Sequence, residues 1–350
     1  MPTMTGMRRV PLTGLFAGIL LALVAAIGLG LAMGAVDISP VQVVGILLDH
    51  IGVDTGIDFS STQDAVLWSI RLPRVALGIV VGAALGVAGA AFQGIFRNPL
   101  ADPHLIGVSS GAALGTVIAI LLFGGLVGSF AGPIGGVIGG LGAGMAVYLV
   151  ARHEGRTEVV TLVLAGLAVA AIGGAGAAFL SVAANDARLG SVLFYSLGSL
   201  SVSTWDLVWS TLPFVALAVI ALPLTARRLD LILLGEREAA HLGVDVERTR
   251  MLVVGLATAA IGAAVAAAGA IGFVGLLVPH GIRLLAGPGH RVVLPASAIG
   301  GAALVVATDV VARTVALPLE VPIGLLTAII GGPVFLILLE RTRREHGGWG

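Results

Sequence analysis

The chain has no cysteine and no lysine, and all 19 of its basic residues are arginine. Without cysteine there is no disulfide, no thiolate metal ligand and no thiol nucleophile. Without lysine a GxxxxGK[ST] phosphate loop cannot be built, so any ATP used with this chain must be hydrolysed by another polypeptide. Charge is scarce at 11% of residues, against about 25% in a soluble domain. Acids match bases for a formal net charge of zero, which argues against nucleic acid as a partner. The HEXXH, HXXEH and clustered-carboxylate patterns are missing, so a metalloenzyme or resident-metal reading has no support. None of the seven histidines is placed to hold a metal halfway along an apolar run. The middles of those runs also lack ionisable residues, and Arg283, His280 and Asp309 lie near run ends. A proton-coupled carrier needs a buried carboxylate or histidine, so that class is disfavoured. A sodium site of backbone carbonyls stays open.

What the chain has instead is apolar length. Hydrophobic residues make up 57% of it and the mean hydropathy is +1.08. Runs able to cross a bilayer fall near 11–34, 75–95, 105–123, 131–150, 159–183, 206–225, 250–268, 292–311 and 321–339, with a shorter, broken one at 270–286 holding Pro279, His280 and Arg283. The expectation is an all-α polytopic membrane protein, one transmembrane domain over 1–350 with ten transmembrane helices and both termini on one side. The first run, about 23 residues after Arg8-Arg9, exceeds a signal-peptide core of roughly 7–15 and reads as an uncleaved span with a charge anchor. In a ten-span topology fifteen arginines share the side of the termini and only Arg71, Arg74, Arg188 and Arg313 lie opposite. The positive-inside rule then makes the termini cytoplasmic.

Two segments between spans carry structure signals. Residues 35–66 form an external loop with five aspartates and no arginine, and Ser39-Pro40-Val41-Gln42 predicts a capping box opening a short helix. Val41, Val44, Leu47 and Leu48 would be its apolar stripe. Residues 226–250 form the most charged cytoplasmic insertion, divided by Gly235 and Gly243 into two short helices with apolar faces, which suits a docking element. A faint internal repeat pairs GAALGVAGA at 82–90 with GAAVAAAGA at 262–270, identical at six of nine positions. Because the two copies run in opposite directions, this would be an inverted repeat of spans 2–5 and 7–10. Chance matching of Gly/Ala-rich helices is the alternative. The spacings Gly82/Gly86, Gly135/Gly139 and Gly140/Gly144 suit close helix packing more than a pore lining. Arg71, Arg74 and Arg313, at the outer edge against the charge rule, either snorkel to the interface or meet carboxylates of a docking protein. Glu320 and Pro322 read as the cap of the last span.

Several motifs in fixed order then carry a family resemblance. They are RLPR at 71–74, RNPLADP at 97–103, GVSSGAALG at 107–115, LGEREAAHLGV from Leu234 to Val244, GFVGLLVPH at 272–280 and LPLEVPIGLLTAIIGGPVF at 317–335. Over about 70–340 the chain resembles the FecCD-type permeases, membrane subunits of bacterial ABC importers for iron–siderophores, haem and vitamin B12. The resemblance implies a permease, not an enzyme, in the bacterial cytoplasmic (inner) membrane. It implies a second permease subunit, most simply a homodimer, two ATP-binding subunits inside that carry the ATP and Mg, and an extracytoplasmic substrate-binding protein outside. It implies no cofactor on this chain. It assigns Arg71, Arg74 and Arg313 to binding-protein docking. Leu234, Gly235, Glu236, Ala239, Leu242 and Gly243 fall to ATPase coupling. Asn98, Leu100, Arg156 and Thr157 fall to an inner gate. GPGHR at 287–291 followed by LPAS lean toward haem and other iron chelates, with vitamin B12 as the alternative cargo. From other classes, an ion-coupled secondary carrier and a membrane scaffold without transport compete with this reading.

Overall fold

The computed structural model describes residues 10–99, 101–102, 107–153, 156–157, 159–184, 197–317 and 319–345. Among the described residues the regular elements are helices and one hairpin, joined by turns and loops. The helices are α1 (Leu12–Ala32), α2 (Pro40–Asp49), α3 (Ser61–Val66), α4 (Leu72–Ile95), α5 (Val108–Val127), α6 (Ala131–Ala151), α7 (Val159–Ala184), α8 (Trp205–Leu224), α9 (Ala226–Leu234), α10 (Glu236–His241), α11 (Val246–Ala268), α12 (Val274–Ala286), α13 (His290–Thr314) and α14 (Ile323–Glu345). A π-helical turn, Leu67–Arg71, joins α3 to α4. The hairpin pairs β1 (Arg152–His153) with β2 (Arg156–Thr157), antiparallel, Arg152 opposite Thr157.

Seven stretches among the described residues are long and apolar enough to cross a membrane, and one of them, 108–151, holds both α5 and α6. The protein is therefore a polytopic membrane protein. The expected span at 270–286 is shorter than the sequence suggests. Its helix begins at Val274 and has 13 residues, about 20 Å at 1.5 Å per residue, less than the ~30 Å hydrocarbon core. The chain before it unwinds because Gly269 and Phe273 take left-handed backbone angles, φ 69° and 66°. Non-helical backbone at membrane depth is tolerated only where protein covers it. Here Ile271 is fully buried, Ser199 N–H donates to Ala268 O at 2.8 Å, and glycines 198 and 324 are packed on the Ala270 carbonyl too closely to admit a Cβ.

α4 is the central helix. Of its apolar window 83% is buried inside the protein, against 22% for α1, which leaves most of α1 for lipid. Small residues make this possible. A Cβ at Gly82 or Gly86 would overlap the carbonyls of Gly301 or Ser297, so α4 and α13 touch backbone to backbone. Gly262 of α11 meets Gly136 of α6 in the same manner, and Gly111 and Gly115 of α5 meet Gly139 and Gly135 of α6. The packing role expected for Gly82, Gly86, Gly135 and Gly139 is thus what the structure shows.

α2 forms with the expected capping box: Gln42 N–H donates to Ser39 Oγ at 3.3 Å and Ser39 N–H to Gln42 Oε1 at 3.0 Å. Its expected apolar stripe is out of phase. Val41 and Val44 are exposed, whereas Val43 and Ile46 are buried in a cluster with Ala26, Leu31, Leu67 and Val75. The i, i+3 pair nearest α1 and α4 sets the buried face, and Gly45 between them packs against Ile57. At one end of the bundle lie the 33–66 loop, Arg71, Arg74 and Arg313. At the other lie the end of α4, the α9–α10 segment and Val10, whose N–H donates to Leu285 O at 3.2 Å.

Candidate functional sites at the two ends of the bundle

The RLPR motif straddles the π turn and the first turn of α4, so Arg71 and Arg74, three apart, fall on neighbouring positions of one face. Both turn inward. Arg71 is 2% exposed and donates from Nη1 to Leu31 O and Ala32 O, each 2.7 Å, and from Nη2 to Val36 O. α1 has no basic residue in its last turn, so its terminal carbonyls need outside donors. Arg71 supplies them, and Arg313 adds a bond from Nη2 to Gly30 O at 2.5 Å.

Arg74 sits between two carboxylates. Its Nε reaches both oxygens of Asp309 at 3.0 and 3.1 Å, its Nη2 lies 2.9 Å from Asp309 Oδ1, and its Nη1 donates to Glu320 Oε1 at 2.9 Å. Asp309 also faces Arg313, 3.5 Å away at i, i+4 on α13. The side chains of Arg74 and Asp309 are 6% and 2% exposed, while that of Glu320 is 43% exposed. Arg74 and Arg313 therefore share Asp309, Arg74 alone meets Glu320, and Arg313 Nε has no hydrogen-bond partner among the described residues. The three arginines picked from the sequence do come together. The two carboxylates were missed as their partners. The Asp309–Arg313 spacing could have shown the first. Glu320 reaches across to Arg74 rather than serving only the start of the last helix.

The same end holds an aromatic cluster that sequence reasoning missed. His50 stacks on Trp68 with ring centroids 3.9 Å apart and meets Asp64 at 2.7 Å. Trp205 Nε1 donates to Trp68 O at 3.1 Å and the Trp205 ring lies beside Trp209. Amphipathic rings of this kind gather at a membrane–water boundary, and here they tie the 35–66 loop to α8.

At the opposite end the two helices expected within 226–250 are α9 and α10. Gly235 and Gly243 break them as expected, with φ 140° and 83°. Leu229, Ile232 and Ala239 are fully buried, whereas Leu234 and Leu242 are 67% and 61% exposed. Glu236 and Glu247 both bind Arg250, at 2.6 and 3.0 Å, which braces α10 on the first turn of α11. Asp230 of α9 accepts from both the backbone N–H and Nδ1 of His290, at 2.9 and 2.7 Å. Partial burial would raise its carboxyl pKa, but the His290 bonds and the nearby His290 and Arg291 charges outweigh that and hold it below the ordinary value. Asp230 therefore stays an anion near neutral pH.

The turn after α4 begins with Arg97 in the left-handed region, φ 53°. Asn98 N–H donates to Gln93 O at 3.2 Å, and the Arg97 and Asn98 side chains are exposed. Leu100 lies outside the described residues, and of Arg156 and Thr157 only the backbone of β2 is described. Just inside this turn Gln93 donates to Gly275 O at 3.1 Å and accepts from Arg283, which also reaches Ala90 O at 3.3 Å. Away from both ends, α5, α6 and α7 line an apolar cavity of about 610 Å³ with Gly115, Ile118, Phe123, Ile138 and Ile172 on its walls.

Comparison with known proteins now fits this architecture to a family. The model of the FecCD transport family matches residues 19–341. The cobalamin import system permease protein of Halobacterium salinarum is 45% identical over 280 residues, 80% of this chain and 74% of that protein. The hemin transport system permease protein of Yersinia pestis is 40% identical, covering 83% of this chain and 88% of that one. The Fe(3+) dicitrate transport system permease protein FecD of Escherichia coli is 39% identical over 79% of this chain and 86% of that one. An ABC transporter assigned to the metal-chelate type, solved in an inward-facing conformation, superposes with TM-score 0.76 at 32% identity over 93% of this chain and 98% of that one. The chain belongs to the FecCD transport family and is a permease subunit of an ABC importer, a transport component rather than an enzyme.

Proposed function

We propose that the chain moves an iron chelate, haem or a ferric siderophore, into the cytoplasm by alternating access, driven by ATP hydrolysed on a separate subunit that holds the nucleotide and Mg. The observation that carries this reading is the division of labour along α4 and α13. An arginine–carboxylate network closes one end of the pair, and helices presenting Leu234 and Leu242 close the other. Cobalamin is the second reading, favoured by the 45% identity to a cobalamin permease. Both cargoes are bulky metal chelates.

The spans number ten in this reading: α1, α4, α5, α6, α7, α8, α11, the short α12, α13 and α14. The repeat of spans 2–5 and 7–10 is supported by matched crossings, α4 on α13 through Gly82 and α11 on α6 through Gly262, the two glycines that the sequence repeat aligns. Val10 lies beside α12 at the α9–α10 end, which supports a reading with both termini on that side, and the arginine excess would make it the cytoplasmic face of the cell membrane. The two ATP-binding subunits would dock there, on Leu234, Gly235, Glu236, Ala239, Leu242 and Gly243. The turn at Asn98 and Leu100 and the hairpin at Arg156 and Thr157 would form the inner gate. A second copy of the chain completes the passage.

An extracytoplasmic binding protein would dock at the Arg74 end. Because Arg71, Arg74 and Arg313 are buried with internal partners, docking there requires exchange rather than simple contact. Glu320, the exposed member of the network, is the carboxylate that an incoming Asp or Glu would replace on Arg74, while Arg71 holds the rim in shape. Glu320→Gln should then tighten binding of the binding protein and Arg74→Gln should weaken it, read by surface plasmon resonance on the permease in nanodiscs. Unchanged affinity in both variants would remove Arg74 from the docking surface.

A further inference from the structure

We propose that Asp230 and His290, wedged against Gly94, form a positioning joint that makes the α9–α10 segment move as one body with α4 and α13. The proposal rests on the reading of α9–α10 as the ATPase-facing element. His290 is the first residue of α13 and is completely buried. The N-cap before it, Gly289, has no side chain to satisfy the free N–H groups of that helix start. Asp230 does so from another helix, binding the His290 N–H at 2.9 Å and its Nδ1 at 2.7 Å. A carboxylate only accepts, so Nδ1 carries the proton. The other ring nitrogen, Nε2, has no hydrogen-bond partner among the described residues. It is pressed against Gly94, where any Cβ would overlap it. One imidazole thus touches the coupling segment, the start of α13 and the end of α4.

The consequence follows from where those helices lead. Three residues beyond Gly94 the chain enters the Arg97–Asn98 turn. α13 runs from His290 to Asp309 and Arg313 at the far end, held to α4 by the Gly86–Ser297 and Gly82–Gly301 contacts on the way. Closely packed helices shift as units rather than deform. A displacement of α9 is therefore delivered to the turn after α4 and to the Arg74–Asp309 network together. Without the joint, α9 keeps its apolar seat through Ala226, Leu229 and Ile232 and can slide on it.

The absence of native cysteine permits a direct test. Spin labels at Arg228→Cys and Arg291→Cys, both exposed positions, report the α9–α13 distance in the full importer in nanodiscs. The expected result is one narrow distance, unchanged by a non-hydrolysable ATP analogue. It should persist in Asp230→Asn, whose amide oxygen still accepts from the His290 N–H, and broaden in Asp230→Ala and in Gly94→Ala. In the same preparations basal ATP hydrolysis should hold, while its stimulation by the binding protein falls about tenfold in the two broadened variants, as for residues on a coupling path. A distance that shifts with nucleotide in the parent chain, or one that stays narrow in both Asp230→Ala and Gly94→Ala, overturns the joint. Leu242→Arg is the separate control. If the ATPase still associates with that variant, the reading of α9–α10 fails. If association is lost there but Asp230→Ala and Gly94→Ala behave like the parent, only the joint fails.

Discussion

At the scale of single residues, charge is rare in this chain, and the buried charges Arg71, Arg74, Asp309 and Arg313 each hold parts of the bundle together. Asp309 faces two guanidinium groups in a buried site, so removing it takes the paired carboxylate from Arg313 and leaves Arg74 only the half-exposed Glu320. Asp309→Ala should cost about 3–5 kcal/mol, the range for breaking a buried ion pair on one side, read as a lower unfolding temperature in detergent. Glu320→Gln should cost under about 1 kcal/mol, because a half-exposed partner is screened by water. Equal losses in the two variants would contradict the graded burial of the network. The sequence made the arginines visible through their position against the charge rule. It did not show what they bind, because Asp309 and Glu320 lie 235 and 246 residues from Arg74 and only the fold brings them within 3 Å.

At the scale of elements, hydrophobic length located the helices to within a few residues, and glycine spacing identified which of them pack closely. Gly86→Leu should therefore part α4 from α13 and cost at least about 1–3 kcal/mol of overpacking strain. Gly142→Leu, with open space around its position, should leave unfolding temperature unchanged. A harmless Gly86→Leu would mean that the two helices do not meet along that face. The broken helix α12 was legible only in outline. Its proline and charged residues signalled an interruption, but the unwound stretch depends on glycines 198 and 324 approaching from other parts of the chain. The phase of α2 was misread for a related reason. Nearly every residue of that helix is apolar, so only contact with α1 and α4 selects Val43 and Ile46 as its buried face.

At the scale of the whole molecule, the bundle links two ends through a central helix that lipid scarcely reaches. Composition and the missing lysine exclude ATP hydrolysis by a phosphate loop of this chain, and family membership places it in an ABC importer. Which cargo passes through it was not legible, since in the reading proposed above the residues that would select cargo belong to a passage completed by another subunit. The claim that ATP, and not an ion gradient, drives transport is the centre of the account. Its most direct measurement is uptake into liposomes holding the chain with its ATPase and binding protein, using haemin, ferric citrate and cobalamin as separate probes. The account predicts uptake of at least one probe only when ATP, the ATPase and the binding protein are all present, with no response to a proton or sodium gradient. Uptake driven by such a gradient in liposomes containing the chain alone would contradict it.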